Sequence, residues 1–241
     1  MFGRVLRVHR RGFIWTTMLM CLMMAVAGLL NPLFLLIEPL LAQKEIALPV
    51  IPDTSALMMR FGLAYEFIGA LYAAALGMRA LRRDAKPGAI MWNLPLSRVQ
   101  IVLRHYAAGA SYVAGLAVLV GCVSFGTLCV SGLADASAFW SLMHPVLGFM
   151  AAYSLLFGLA TVVQNVAILG AAAVLVPVAL ILPVCAMLLK PFSALALPVQ
   201  VGFFMPYGLG AALPLKMLVG AVLTIVLPLL LALGVTSRRS L

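Results

Sequence analysis

The chain has 241 residues, 65% of them hydrophobic and only 9% charged. Soluble domains are about half apolar and a quarter charged, so this composition excludes a soluble globular fold and describes a polytopic membrane protein. No segment is long and polar enough to fold as a separate soluble domain, so 1–241 is a single membrane domain and any ATPase or other soluble catalysis must come from another chain. The net charge of +10 sits mostly at the N-terminus, around the second connection and at the C-terminus. That is the arginine pattern of cytoplasmic membrane flanks rather than of a nucleic-acid surface, and it puts both termini on the cytoplasmic side.

At the N-terminus Arg4, Arg7 and Arg11 recur at i, i+3 and i+7, with Arg10 beside them, while Phe2, Val5 and Leu6 take another face. The spacing predicts a short amphipathic helix on the cytoplasmic surface; a basic tail without structure is the alternative. Ala25-Val26-Ala27 imitates a signal-peptidase site, but the apolar run continues to Ile37 and reads as an uncleaved first span. A span needs about 20 apolar residues to cross a ~30 Å hydrocarbon core. Six runs qualify: Phe13–Ile37, Met59–Met78, Tyr106–Val130, Pro145–Val163, Val166–Leu189 and Leu215–Val235. An even number of spans agrees with two cytoplasmic termini.

Met18, Met20, Met23 and Met24 in the first run fit adaptable apolar packing better than a copper(I) site, because no Cys or His stands at ligand spacing. The first outer connection, Glu38 to Leu57, carries three acids and three prolines. In the second run Glu66 stands alone among apolar residues. A carboxylate in hydrocarbon costs several kcal/mol, so Glu66 is neutral, paired or faces a polar cavity. Two readings remain open: a residue of a translocation path, with Arg60 six residues earlier, or an interhelical hydrogen bond. Gly69, Ala73 and Gly77 recur every fourth residue and permit close helix contact.

The second connection, Asp84 to His105, is short, basic and broken by prolines. Arg79, Arg82 and Arg83 precede it; Lys86, Arg98 and Arg104 lie within it. Pro87-Gly88 reads as a turn, Ala89 to Leu94 as one or two helical turns, and Pro95 ends them. Ser97 and Gln100 fit a capping box that starts a new helix. An ordered basic hairpin of this kind is a docking element.

Between the fourth and fifth runs Gln164-Asn165 is the only polar break, which predicts a very tight turn or, alternatively, one long kinked helix. Lys190 to Pro214 is too proline-broken to span and too apolar for a plain loop. It reads as a re-entrant helical hairpin, with an interfacial loop as the alternative. The four cysteines, Cys21, Cys122, Cys129 and Cys185, have no metal-ligand spacing. His9, His105 and His144 are scattered. No nucleophile–base pair, zinc motif or phosphate-binding glycine loop is present, so the chain is read as non-enzymatic.

The order of elements resembles the ABC-2 type transporter permeases. The local likeness is carried by Pro95-Leu96-Ser97-Arg98-Val99-Gln100-Ile101-Val102-Leu103, which looks like that family's P-x-S-R-x-x-I-V stretch before the third span. The resemblance implies an all-α permease with six transmembrane helices in a bacterial inner membrane, its inner loop forming a coupling helix. Mapped here, that helix is Ala85–Leu94, with Ala85, Lys86, Gly88, Met91, Trp92, Leu94, Pro95, Ser97 and Arg98 at or beside the contact. It also implies two partners besides lipid: a second permease copy or homologue, and a separate ATP-binding subunit that holds ATP and Mg. The departures are a single acid, Asp84, where the family often has a cluster, Gly88-Ala89 in place of Gly-Thr, and Arg104-His105 where a lysine is common. The function implied is ATP-driven export of a hydrophobic or amphipathic substrate such as a lipid, peptide or antibiotic. A membrane scaffold or assembly factor without a transport path is the alternative from another class.

Overall fold

A computed structural model describes residues 2–42, 54–80, 97–163, 165–188 and 215–238. These form α1 (Phe2–Ala42), α2 (Thr54–Ala80), α3 (Arg98–Val130), α4 (Ala136–Met143), α5 (Pro145–Val162), α6 (Val166–Leu188) and α7 (Leu215–Arg238), with no strand among the described residues. Four stretches of them are long and apolar enough to cross a membrane: Arg10–Leu30, Val99–Val130, Ala136–Val162 and Leu218–Ser237, with Val166–Ala179 a shorter apolar helix. The chain is therefore an all-helical, multi-pass membrane protein. Six spans were expected; the runs at Met59–Met78 and Val166–Leu189 form α2 and α6, helices of 27 and 23 residues, but are not among these four.

The helix boundaries follow from local chemistry. Ser97 starts α3 as the capping box requires. Its hydroxyl accepts from the Gln100 backbone N–H at 3.2 Å, and the Gln100 side-chain oxygen accepts from the Ser97 N–H at 3.2 Å. The turn between α5 and α6 is tight, and the long kinked helix is ruled out. Val163 is extended (φ −96°, ψ 121°), and Asn165 Oδ1 accepts from the backbone N–H of Ala167 at 2.9 Å, which caps α6.

One feature departs from expectation. The basic N-terminal segment is not a separate surface helix but the first turns of α1, which runs unbroken for 41 residues. Only Gly12 separates Arg11 from Phe13, a single helical glycine costs about 1 kcal/mol, and the first proline is Pro32. Between α3 and α5 stands the short helix α4. Asp135 builds it: one carboxylate oxygen accepts from the Ala138 N–H at 2.5 Å and from the Ser137 hydroxyl at 2.9 Å, the pattern of an N-cap.

Helix directions follow from who touches whom. On α1 and α3, Phe13 stacks on Tyr112 with ring centroids 4.9 Å apart, and Gly28 lies against Thr127, so the two run parallel. On α2 and α5, Gly69 meets the Phe149 ring and Gly77 meets the backbone and side chains of Tyr153 to Phe157, so these also run parallel. Against α3, α5 is antiparallel: Tyr153 meets Gly109, and Leu142 and Met143 just before α5 meet Gly121. One end of the bundle thus collects the start of α1, the end of α2, the start of α3 and the end of α5. Arg10, Arg11, Arg79 and Arg104 are all exposed there, and Asp135 lies at the other end.

The core centres on α5, which packs against α2, α3, α6 and α7. Eleven of its 18 residues are buried, Phe149, Tyr153 and Phe157 completely. A helix apolar on all sides belongs inside a bundle. On α7, Pro228 fits against Gly158, where an added Cβ would stand 2.7 Å from the proline ring.

Two predictions test this arrangement. Gly77→Ala should destabilise the protein by about 1–3 kcal/mol, because the new methyl meets a backbone carbonyl that has no room to yield. Gly126→Ala, where nothing lies within 4 Å, should be neutral or stabilising. Thermal unfolding in detergent compares the pair, and equal behaviour would contradict the α2–α5 contact. For α4, the two donors hold the Asp135 carboxyl below its ordinary value of 3.8. The sign follows: the charged cap contributes fully above the ordinary value and is lost as pH falls through the lower folded value. At neutral pH, Asp135→Ala should speed amide exchange across residues 136–143, and Asp135→Asn, a comparable cap, should not.

Candidate functional site

Several polar groups of the bundle lie where α2 and α3 meet α5. Glu66 lies 12 residues from the start of α2 and 14 from its end, about 18 and 21 Å at 1.5 Å per residue. It is therefore at mid-helix, and it is fully buried. Gly69, Ala70 and Ala73, at i+3, i+4 and i+7, are buried as well. Glu66 thus belongs to the face of α2 that packs into the bundle and is not offered to lipid, as the cost of a carboxyl in hydrocarbon requires. Beside it Tyr65 sets its ring edge-on to Phe149, with centroids 5.4 Å apart at 79°. Arg60 lies one and a half turns earlier in α2; its side chain is outside the described residues.

Nearer the basic end, α3 and α5 are clasped by hydroxyls. The Tyr106 and Ser154 hydroxyls lie 2.7 Å apart. The Tyr153 hydroxyl donates to the Tyr106 carbonyl at 3.1 Å and reaches the His105 carbonyl at 3.4 Å. Both carbonyls lie about two turns into α3. The Tyr153 hydroxyl fits there because Gly109 presents no side chain. The Phe157 ring closes the group, edge-on to Tyr106 at 5.2 Å. Ser154 is thus bonded to Tyr106.

Among the predicted coupling residues, Ser97 is the N-cap of α3 and Arg98 its first residue. Ala85, Lys86, Gly88, Met91, Trp92, Leu94 and Pro95 lie outside the described residues, as does the expected re-entrant segment 190–214. Ala80 and Ser97, on either side of the gap, both sit at the basic end. The clasp residues Tyr106, Tyr153 and Ser154 were not singled out together from sequence. The available signal was that Tyr153-Ser154 is an adjacent polar pair inside a mostly apolar run. Met20 and Met24 are fully buried in the core, as adaptable packing requires, and no cluster of three or more His, Cys, Asp or Glu suited to a metal occurs among the described residues.

Comparison with family models, with curated proteins and with solved structures finds no match for this chain.

The clasp makes a measurable claim. A double-mutant cycle of Tyr106→Phe and Ser154→Ala should give a coupling energy of about 0.6 kcal/mol, with ~1.7 as the ceiling for interhelical hydrogen bonds in membranes. Additive effects would show that the two hydroxyls do not interact.

Proposed function

We propose that the chain is the membrane-spanning subunit of an ABC-2 type exporter. The observation that carries the proposal is the capped start of α3 at Ser97–Gln100. It falls in the P-x-S-R-x-x-I-V stretch and at the end of the bundle where the exposed arginines collect. In this reading α1, α2, α3, α4–α5, α6 and α7 make six crossings, the basic end is cytoplasmic, and both termini lie there. An ATP-binding subunit holding ATP and Mg docks on segment Ala85–Leu94.

The packing supplies a route for the stroke. The docking segment joins the end of α2 to the start of α3. Glycine contacts bind α2 to α5, and the tyrosine clasp binds α3 to α5. A displacement of the segment therefore converges on α5. Rigid elements joined by specific contacts are the means by which such movement is carried. The path runs along the interface with a second permease copy or homologue. Few polar groups line the bundle, which suits a hydrophobic or amphipathic cargo.

Two experiments decide. Aromatic anchors carry much of the energy of short docking helices, so Trp92→Ala should weaken association with the ATP-binding subunit by about 2 kcal/mol and lower transport at equal membrane levels. An unchanged co-purification ratio with unchanged transport would remove the coupling role, and failure of any ATP-binding subunit to co-purify with the unmodified chain would favour a scaffold. For orientation, single labels at Lys44 or Asp135 should react from outside the cell, and labels at Lys86 or Arg239 only after permeabilisation.

A further inference from the structure

Helices α1 and α3 run side by side and carry positive charge with nothing of their own to offset it. Residues 1–37 and the whole of α3 contain no aspartate or glutamate. Yet Arg10 and Arg11 on α1 and Arg104 on α3 are all exposed at the basic end.

Packing sets these three arginines at one depth. Phe13 stacks on Tyr112 with ring centroids 4.9 Å apart, and farther along Gly28 lies against Thr127. Both pairs have the same register, so Arg10 and Arg11 stand level with Gly109 and Ala110 of α3. Arg104 lies five or six residues nearer the basic end, about 8 Å at 1.5 Å per residue. The headgroup region adds about 5–7 Å to each side of the hydrocarbon core, and an arginine stem carries its charge some way along an apolar surface. The three guanidinium groups therefore fall within one headgroup layer.

Below them each helix turns one continuous stripe outward. On α1, Arg11, Trp15, Met18 and Leu22 recur at i, i+4, i+7 and i+11 and are all exposed, Trp15 to 72%. On α3, Arg104, Ala107, Ser111, Val118 and Cys122 recur at i, i+3, i+7, i+14 and i+18 and are exposed as well. From Arg11 to Leu22 the rise is about 16 Å, the depth of one leaflet of a ~30 Å core. The order along each stripe is the order along a phospholipid: charge first, then hydrocarbon, with Trp15 near the boundary, where tryptophan is favoured. Guanidinium forks match phosphate oxygens two bonds at a time. A zwitterionic lipid brings its own cation with its phosphate, so only an anionic one offsets the excess charge.

We propose that Arg10, Arg11 and Arg104 hold the headgroup phosphate of an anionic glycerophospholipid, whose acyl chains lie along Trp15, Met18 and Leu22 of α1 and Val118 of α3. The partner is a lipid and not free phosphate, because the apolar stripes continue the site beneath the charge. The inference stands independently of the transporter reading, since it needs neither a second copy nor an ATP-binding subunit.

Trp15 reports on the site once Trp92 and Trp140 are replaced by Phe. That chain is reconstituted in phosphatidylcholine vesicles that contain a fixed fraction of phosphatidylglycerol brominated near the top of its acyl chains or, in parallel, the same fraction of phosphatidylcholine brominated there. Bromine quenches a tryptophan that it touches, so the two curves give the preference of the position beside Trp15. The site predicts a preference for phosphatidylglycerol of about fivefold or more, since ~1 kcal/mol for a basic residue near a membrane surface is a factor of about five. Arg11→Gln with Arg104→Gln should bring it below about twofold, and Arg11→Lys with Arg104→Lys, which keeps the charge, should retain most of it. Arg238→Gln with Arg239→Gln removes the same charge at the chain end and should leave it unchanged. Circular dichroism checks that each variant is folded. Equal quenching by the two lipids overturns the site. So does a preference that survives Arg11→Gln with Arg104→Gln, or one that the chain-end pair abolishes equally.

Discussion

The close parallel contact of α2 with α5 is the constraint on which the rest of the bundle depends. Lipid tails are as apolar as leucine, so membrane helices are not driven together by the hydrophobic effect. They associate where small residues let backbones approach and van der Waals surfaces match. On α2 those residues are Gly69, Ala73 and Gly77. Phe149 fills the space over Gly69, and the backbone around Tyr153 fills the space at Gly77. The aromatics of α5 then serve two neighbours at once. Phe149 faces Tyr65 of α2, and Tyr153 reaches over Gly109 to the carbonyls of α3. A side chain on α2 in place of either glycine would push α5 away from both.

The same contact orders the charge. With α2 and α5 parallel and α3 antiparallel to them, the exposed arginines of α1, α2 and α3 fall at one end and Asp135 at the other. This separation arises from packing alone and agrees with the asymmetry read from the sequence. It also fixes the depth of Glu66. The carboxyl is midway along α2 and turned into the bundle, where protein rather than hydrocarbon surrounds it. The two helices on either side of the second connection, α2 and α3, both meet α5, and that convergence is the mechanical basis of the transporter proposal.

Much of this was legible in the sequence. The Ser97–Gln100 capping box stands as read, because a cap is a local exchange of two hydrogen bonds that needs no tertiary context. The helix break at Asn165 holds for a similar reason: the asparagine oxygen satisfies the first amide groups of α6. The glycine stripe on α2 announced a close contact, though not its partner. What escaped was set by competition or by distance. The arginine periodicity at residues 4–11 led to a separate helix, but nothing between Arg11 and Phe13 stops a helix, so the segment became part of α1. Helix α4 was not singled out from the sequence, although Asp135 is a good cap. The Tyr106–Ser154 pair spans 48 residues of sequence, and no local pattern reports such a partner.

A direct test of this account is a pair of distances by double electron–electron resonance in nanodiscs. Spin labels at Arg79 and Val162, both exposed, mark the ends of α2 and α5. A second pair couples Arg79 to the exposed Trp140 on α4. The 18 residues of α5 alone measure about 27 Å. A parallel α2 and α5 predicts that the Arg79–Val162 distance is the shorter of the two, by roughly half of that length or more. The reverse order, with Arg79 closer to Trp140 than to Val162, would contradict the parallel contact and the gathering of arginines at one end that follows from it.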